Sequence, residues 1–177
     1  SGGTIRAADG TLSILASGSA AAFDRARPAL DAMAEKVFEL GDQVGAGSSM
    51  KAVNQMLVGI HIAAMAEAMT FGMTQGVDPD QFLEVISQCA GTSWALESRG
   101  PHVRDGDYTP LSAVDIWPKD LGIVMDIAKS AKFGAPITAA ALQQWLAASG
   151  SGLGREDDAA VAKVYARNAG ITLPGDA

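Results

Sequence analysis

The segment GAGSSMKAVNQ, residues 45–55, sets an amine and two carboxamides at spacings of three and four: Lys51, Asn54 and Gln55. On a helix those spacings bring all three to one face. Lys51 falls near the start of that helix, where the macrodipole disfavours a cation. Desolvation acts in the same direction, penalising the ammonium and lowering an amine pKa toward neutrality. A lysine tuned in this way can exchange a proton with a substrate hydroxyl at physiological pH. The ordinary alternative is a frayed, solvated first turn in which Lys51 has no chemical role. Apolar residues surround the site on the following turns (Val53, Leu57, Ile60, Ile62), which favours a cleft over bulk water.

The elements that must carry this face follow from hydrophobic patterning. TLSILAS, residues 11–17, is short, apolar and partly β-branched, and is expected to be a strand. SAAAFDRARPALDAMAEK then puts Phe23, Ala26, Leu30 and Met33 on one helical face, with Pro28 expected to kink or break it. KVFELG is expected to be a second short strand. One strand-helix-strand unit is too little for an independent sheet. Residues 1–46 are therefore expected to be the C-terminal remnant of a larger α/β domain, and residues 47–177 an all-helical domain. The fold class expected is mainly α.

In the helical part, Ser48 or Ser49 is expected to cap a helix running to about Gln75, with Gly76 as its stop. Its apolar residues cover nearly the whole circumference, the pattern of a helix central to a bundle. VDPDQFLEVISQCA follows, capped by Asp78 with Pro79 first in the helix. Cys89 lies in that apolar run and is expected to be a buried, inert thiol. SWALESRGPHV is expected to end at Gly100-Pro101 and DGDYTPLSAVD to be a loop. PKDLGIVMDIAKSAKFG, PITAAALQQWLAASGSG and REDDAAVAKVYARNAG bring the total to about six helices, and the tail ITLPGDA is expected to be loose.

The net charge of −7, with acids and bases interspersed and no basic tract, argues against nucleic acid or an anionic membrane as partner. A lone cysteine excludes an internal disulfide framework and fits a reducing, cytoplasmic setting. No run reaches ~18 uninterrupted apolar residues, so no membrane span is expected. His61 in the apolar helix reads as a packed or backbone-bonded side chain, and His102 as structural or exposed. Two isolated histidines make no metal site. Trp94, Trp117 and Trp145 read as core or interface anchors, with the substrate cleft as the alternative for Trp94. The acids of GREDD, residues 154–158, are explained as helix N-terminal residues.

Three motifs together resemble the β-hydroxyacid dehydrogenase family, which includes 3-hydroxyisobutyrate dehydrogenases, tartronate semialdehyde reductases and, more distantly, 6-phosphogluconate dehydrogenase. GAGSSMKAVNQ is similar to the family's G-x-G-x-x-x-K-x-x-N-[NQ]. SGGTIRAADGTL, residues 1–12, is similar to S-G-G-x-x-x-A-x-x-G-T-L, and KDLGIVMD, residues 119–126, to K-D-L-G-x-x-x-D. The resemblance covers essentially the whole chain. It implies that Lys51 is the catalytic acid/base and that Asn54 and Gln55 orient lysine and substrate. It also implies that the turn at Ser1, Gly2 and Gly3 holds a substrate carboxylate, where glycines permit close backbone approach. Lys119 would lie beside the nicotinamide of NAD or NADP, with Asp120 steadying the site. The commonest family pattern has Asn where Gln55 stands, and the stretch NQMLVGIHIAAMAEAM is similar to the L-threonate dehydrogenase subgroup.

The dinucleotide fingerprint G-x-G-x-x-G occurs nowhere in these residues. The expectation is that it precedes Ser1, and that this chain is the C-terminal catalytic part of a longer enzyme, inactive without its Rossmann domain. The expected reaction is NAD(P)-dependent oxidation of a short polyhydroxy acid such as L-threonate, with 3-hydroxyisobutyrate, or tartronate semialdehyde and glycerate, as sibling substrates. A homodimer or tetramer through the helical part is expected. A non-catalytic helical dimerisation module is the rival reading, and it needs no perturbed amine at position 51.

Overall fold

A computed structural model describes residues 1–176. They divide into two compact units, Ser1–Asn54 and Gln55 onward, and the division falls inside one long helix.

The first unit is a short helix α1 (Gly3–Ala8), strand β1 (Leu12–Ala16), helix α2 (Ala20–Met33), strand β2 (Ala34–Glu39) and the start of α3 (Ala46–Thr74). β1 and β2 pair in parallel, with Ile14 opposite Val37 and Leu15 opposite Phe38. A parallel pair needs a crossover, and α2 supplies it. Ser19 caps α2 by accepting the Ala22 N–H. The break expected at Pro28 does not occur, since α2 runs through it. Proline there removes one bond to the Asp24 carbonyl; both residues are exposed, so water can satisfy that oxygen.

α3 starts earlier than expected. Gly45, at φ 98°, turns the chain into the helix, so Ser48 and Ser49 lie inside its first turns instead of capping it. The cap comes from Ser17 after β1, whose hydroxyl accepts the Gly47 N–H at 3.3 Å. Gly47 is buried, and a Cβ there would lie 2.5 Å from the Leu15 carbonyl oxygen. Only glycine lets the first turn of α3 lie this close to β1.

The second unit continues α3 and adds α4 (Pro79–Ile86), α5 (Trp94–Asp105), α6 (Ile116–Ser130), α7 (Pro136–Ala148) and α8 (Val161–Ala169). Its core gathers Ile62, Met65 and Met69 of α3, Leu96 and Val103 of α5, Trp117 and Leu121 of α6, Trp145 of α7 and Val164 of α8. Asp78 caps α4 as expected, accepting from Asp80 and Gln81. α4 ends at Ile86, which leaves Cys89 in the following turn and exposed, contrary to the buried thiol expected. α5 continues past Gly100-Pro101 and stops at Gly106, left-handed at φ 65°. Gly100 serves packing: a Cβ there would collide with Leu83 of α4. Residues 171–176 of the tail are not loose either, because Leu173 inserts into the core, while Ala177 lies outside the described residues.

α3 is not enclosed on all sides. Ile62, Ala63, Met65, Ala66 and Met69 are buried, while Leu57 and Phe71 (65% exposed) stand outside. By length and composition α3 could cross a membrane, with a best 18-residue window of mean hydropathy 1.5, of which 44% is buried in the protein.

Candidate active site

Within the first unit, Lys51 and Ser1 line one cavity of about 410 Å³ together with Ile14, Leu15, Gly47 and Ser48. The cavity exists because Gly47 brings the first turn of α3 against β1. Lys51 is half-buried, neither a solvated first-turn residue nor a core one, and Asn54 one turn on is half-buried too. Gly2 and Gly3 are exposed and do not line the cavity. They stand at φ 132° and 69°, conformations that favour glycine, and lead into α1. A primary amine beside small residues and backbone can meet a hydroxyl-bearing ligand and exchange a proton with it.

Within the second unit, the Asp120 carboxylate gathers two further candidate residues. Its Oδ2 accepts from Gln55 Nε2 at 2.6 Å, and its Oδ1 lies 3.0 Å from Lys119 Nζ. A carboxylate only accepts, so the Gln55 amide must turn its NH₂ group toward Asp120. The Asp120 side chain is 15% exposed and the Lys119 side chain 67%, so Asp120 is the anchor and Lys119 the group offered to a ligand. An exposed, anchored ammonium suits a polar or anionic group of a ligand.

Sequence reasoning missed what holds α6 in place. Asp158 is buried: its Oδ1 accepts from Arg99 Nε at 2.5 Å and its Oδ2 from Trp117 Nε1 at 3.0 Å. Burial pushes the Asp158 carboxyl up to about 6; the Arg99 guanidinium opposes that shift and Asp157 adds to it. Asp157 caps the turn before α8 through the Ala159 N–H, as expected for helix N-terminal acids, and also accepts from Leu111 N–H at 2.8 Å. Trp117 stacks on Trp145 at 5.4 Å, and Trp145 Nε1 donates to the Gly59 carbonyl of α3 at 3.1 Å. Adjacent acids before a helical run were visible in the sequence. Their partners on α5 and α6 were not, because nothing in local spacing links residues 99, 117 and 158.

Trp94 is exposed, and Arg99 lies over its ring at 5.5 Å. His61 is exposed, contrary to the packed histidine expected, because it falls on the outer face of α3. His102 is half-buried within α5, with Nδ1 2.8 Å from the Asp107 carbonyl oxygen. Among the described residues no group of three His, Cys, Asp or Glu side chains could hold a metal ion.

Residues 45–165 match the protein family described as "NAD-binding of NADP-dependent 3-hydroxyisobutyrate dehydrogenase". This chain belongs to the 3-hydroxyisobutyrate dehydrogenase-like family. That is the family to which the three motifs pointed. Residues 1–41 match the NAD binding domain of 6-phosphogluconate dehydrogenase, in keeping with the strand-helix-strand unit. The chain is 52% identical over 177 residues to an L-threonate dehydrogenase of Cupriavidus necator, covering all of this chain and 59% of that one. A solved 3-hydroxyisobutyrate dehydrogenase from Salmonella typhimurium shares 49% identity with a TM-score of 0.86, over 93% of this chain and 57% of that one. A Mycobacterium tuberculosis 3-hydroxyisobutyrate dehydrogenase with L-serine shares 29% identity at a TM-score of 0.84, over 93% and 58%. The chain thus spans less than three-fifths of the length of each of these family members.

Proposed function

We propose that the whole protein is an NAD(P)-dependent dehydrogenase of short β-hydroxy acids, with a polyhydroxy acid such as L-threonate as substrate, and that this chain carries its acid/base. The observation that carries the reading is the cavity that Lys51 and Ser1 both line. Family membership and the named activities of similar proteins support it.

In this reading the substrate sits beside Lys51, its carboxylate toward the turn at Ser1, Gly2 and Gly3. Lys51 accepts the hydroxyl proton at Nζ, which requires a neutral amine, and partial burial favours one. Asn54 and Gln55 orient lysine and substrate through their amides. A bound nicotinamide would supply the hydride acceptor for the carbon bearing that hydroxyl. Lys119 would contact that cofactor from its Asp120 anchor. The anchored, exposed ammonium fits such a role, while the glycine-rich turn that cradles pyrophosphate is not in this sequence.

A panel assay tests the function directly. The whole protein, given NAD or NADP with short hydroxy acids, should turn over L-threonate faster than analogues lacking a hydroxyl. Turnover confined to substrates without a β-hydroxyl would count against it. A homodimer or tetramer through the helical part belongs to the same proposal, supported by Leu57, Phe71, Ile123, Ile127 and Ile137, all apolar and exposed in the single chain. Sedimentation at micromolar concentration should then find no monomer. Association alone would also suit a non-catalytic module, and the cavity at Lys51 is what favours an enzyme.

A further inference from the structure

Three helices meet around Trp117. Its indole N–H donates to Asp158 on one side, its ring stacks on Trp145 on another, and its Cε3 edge occupies the space a Cβ of Gly59 would need, 2.8 Å from that position. Gly59 follows Gln55 by one turn of α3, and Lys119 and Asp120 follow Trp117 within the first turns of α6. The Gly59–Trp117 contact and the Gln55–Asp120 hydrogen bond are therefore successive rungs between the same two helices. The first sets the separation across which the second must reach.

The segment leading into α6 is fastened to the same place. Backbone N–H groups of Val114 and Asp115 donate to Glu156 and Gly154, and Asp158 N–H donates to Ser112. Arg99 neutralises the Asp158 carboxylate from α5, and its side chain is only 9% exposed. A buried charge with no partner is costly, and here Arg99 and the Trp117 N–H favour the ionised carboxylate against its burial.

We propose that Trp117 and Asp158 are positioning residues for the cofactor side of the site: Asp158, held by Arg99, grips the Trp117 indole and so fixes the first turns of α6, which carry Lys119 and Asp120. The inference rests on the proposed role of Lys119 toward the dinucleotide. It assigns to Asp158 an effect on a ligand that Asp158 does not touch.

The test uses the whole protein and four forms: unmutated, Trp117→Phe, Lys119→Ala and the double variant. Dissociation constants for NAD and NADP are measured by calorimetry, and amide hydrogen exchange at Lys119 and Asp120 without ligand. Trp117→Phe keeps an aromatic ring against Trp145 but loses the N–H. It should raise the dinucleotide Kd on the order of fivefold, within the range that packed networks transmit. Exchange at Lys119 and Asp120 should quicken, while kcat at saturating dinucleotide stays within about twofold, as for a residue acting on binding alone. The double variant should bind no more weakly than Lys119→Ala, because both changes act through one ammonium. An unchanged Kd in Trp117→Phe, or additive losses in the double variant, would overturn the positioning role and leave the Lys119 reading intact. An unchanged Kd in Lys119→Ala would overturn both. Should Trp117→Phe fail to fold, 3-benzothienylalanine in place of Trp117 removes the same N–H at nearly constant volume, with the same results expected.

Discussion

Two glycines of α3, one in each unit, do similar work with different neighbours. Gly47 admits the backbone of β1 and opens the cavity at Lys51; Gly59 admits the ring of Trp117 and brings α3 to the reach of Asp120. Around them the units differ sharply. The first buries one large side chain, Phe23, and its sheet has two strands. The second buries two tryptophans, a run of aliphatics and an Arg–Asp network. Within this chain, which spans less than three-fifths of its relatives' length, Lys51 is set by glycines and backbone contacts of the first unit. The α6 helix, which carries Lys119 and Asp120, belongs to the packed core of the second. Two strands with one covering helix are marginal by themselves, whereas the second unit has what a self-supporting domain needs.

That contrast can be broken most forcefully at Arg99. Arg99→Ala would leave Asp158 buried without its cation, and the second unit should lose about 3–5 kcal/mol in urea unfolding, as when one partner of a buried pair is removed. Arg27→Ala, which deletes an exposed ion pair with Glu39 in the first unit, should change nothing measurable. Equal losses would mean that the second unit's network does not stabilise it.

Acidity probes the same network. The Asp158 carboxyl takes its proton at about 6 when folded, against an ordinary 3.8. Between those values the folded state binds more protons than the unfolded one, so this group's contribution is greatest at the acid end and is lost as pH rises through about 6. The loss amounts to at most ~3 kcal/mol, at ~1.4 kcal/mol per pKa unit. Unfolding midpoints of unmutated chain and Asp158→Asn, compared from pH 4 to 7, should show this fall only in the unmutated chain. Parallel curves would contradict the assignment.

Gly47→Ala and Gly59→Ala sharpen the comparison with smaller effects. Each places a methyl group where a neighbour already stands, an overpacking cost of roughly 1–3 kcal/mol. Hydrogen exchange should locate the first loss at β1 and the start of α3, and the second at α3, α6 and α7. A spread of both effects over the whole chain would mean that the units are not separate in their stability.

The sequence carried the element types well because each is written locally: the short apolar run of β1, the Asp78-Pro79 start of α4, the long apolar stretch of α3 ended by Gly76. It misled where a local signal has a tertiary cause. Gly100-Pro101 looks like a helix end, yet Gly100 is there for Leu83 of α4, and the helix runs on to Gly106. Leu173 looks like part of a loose tail, and only the core that receives it reveals its role. Of the candidate site, the face of Lys51, Asn54 and Gln55 was legible from spacing alone. The Gln55–Asp120 bond and the Arg99–Asp158–Trp117 network join residues far apart in sequence, and no periodicity encodes such pairings.

The central claim concerns Lys51, and turnover tests it most directly. In the whole protein, kcat is measured with L-threonate, or the best short β-hydroxy acid found, for the unmutated form, Lys51→Ala and Lys51→Arg. Loss of a general base should lower kcat by about 10²–10⁴-fold in Lys51→Ala. Lys51→Arg should fail comparably, because a guanidinium stays charged and accepts no proton. KM for the hydroxy acid should change far less than kcat if the turn at Ser1 still holds its carboxylate. Near-normal kcat in Lys51→Ala would contradict the account.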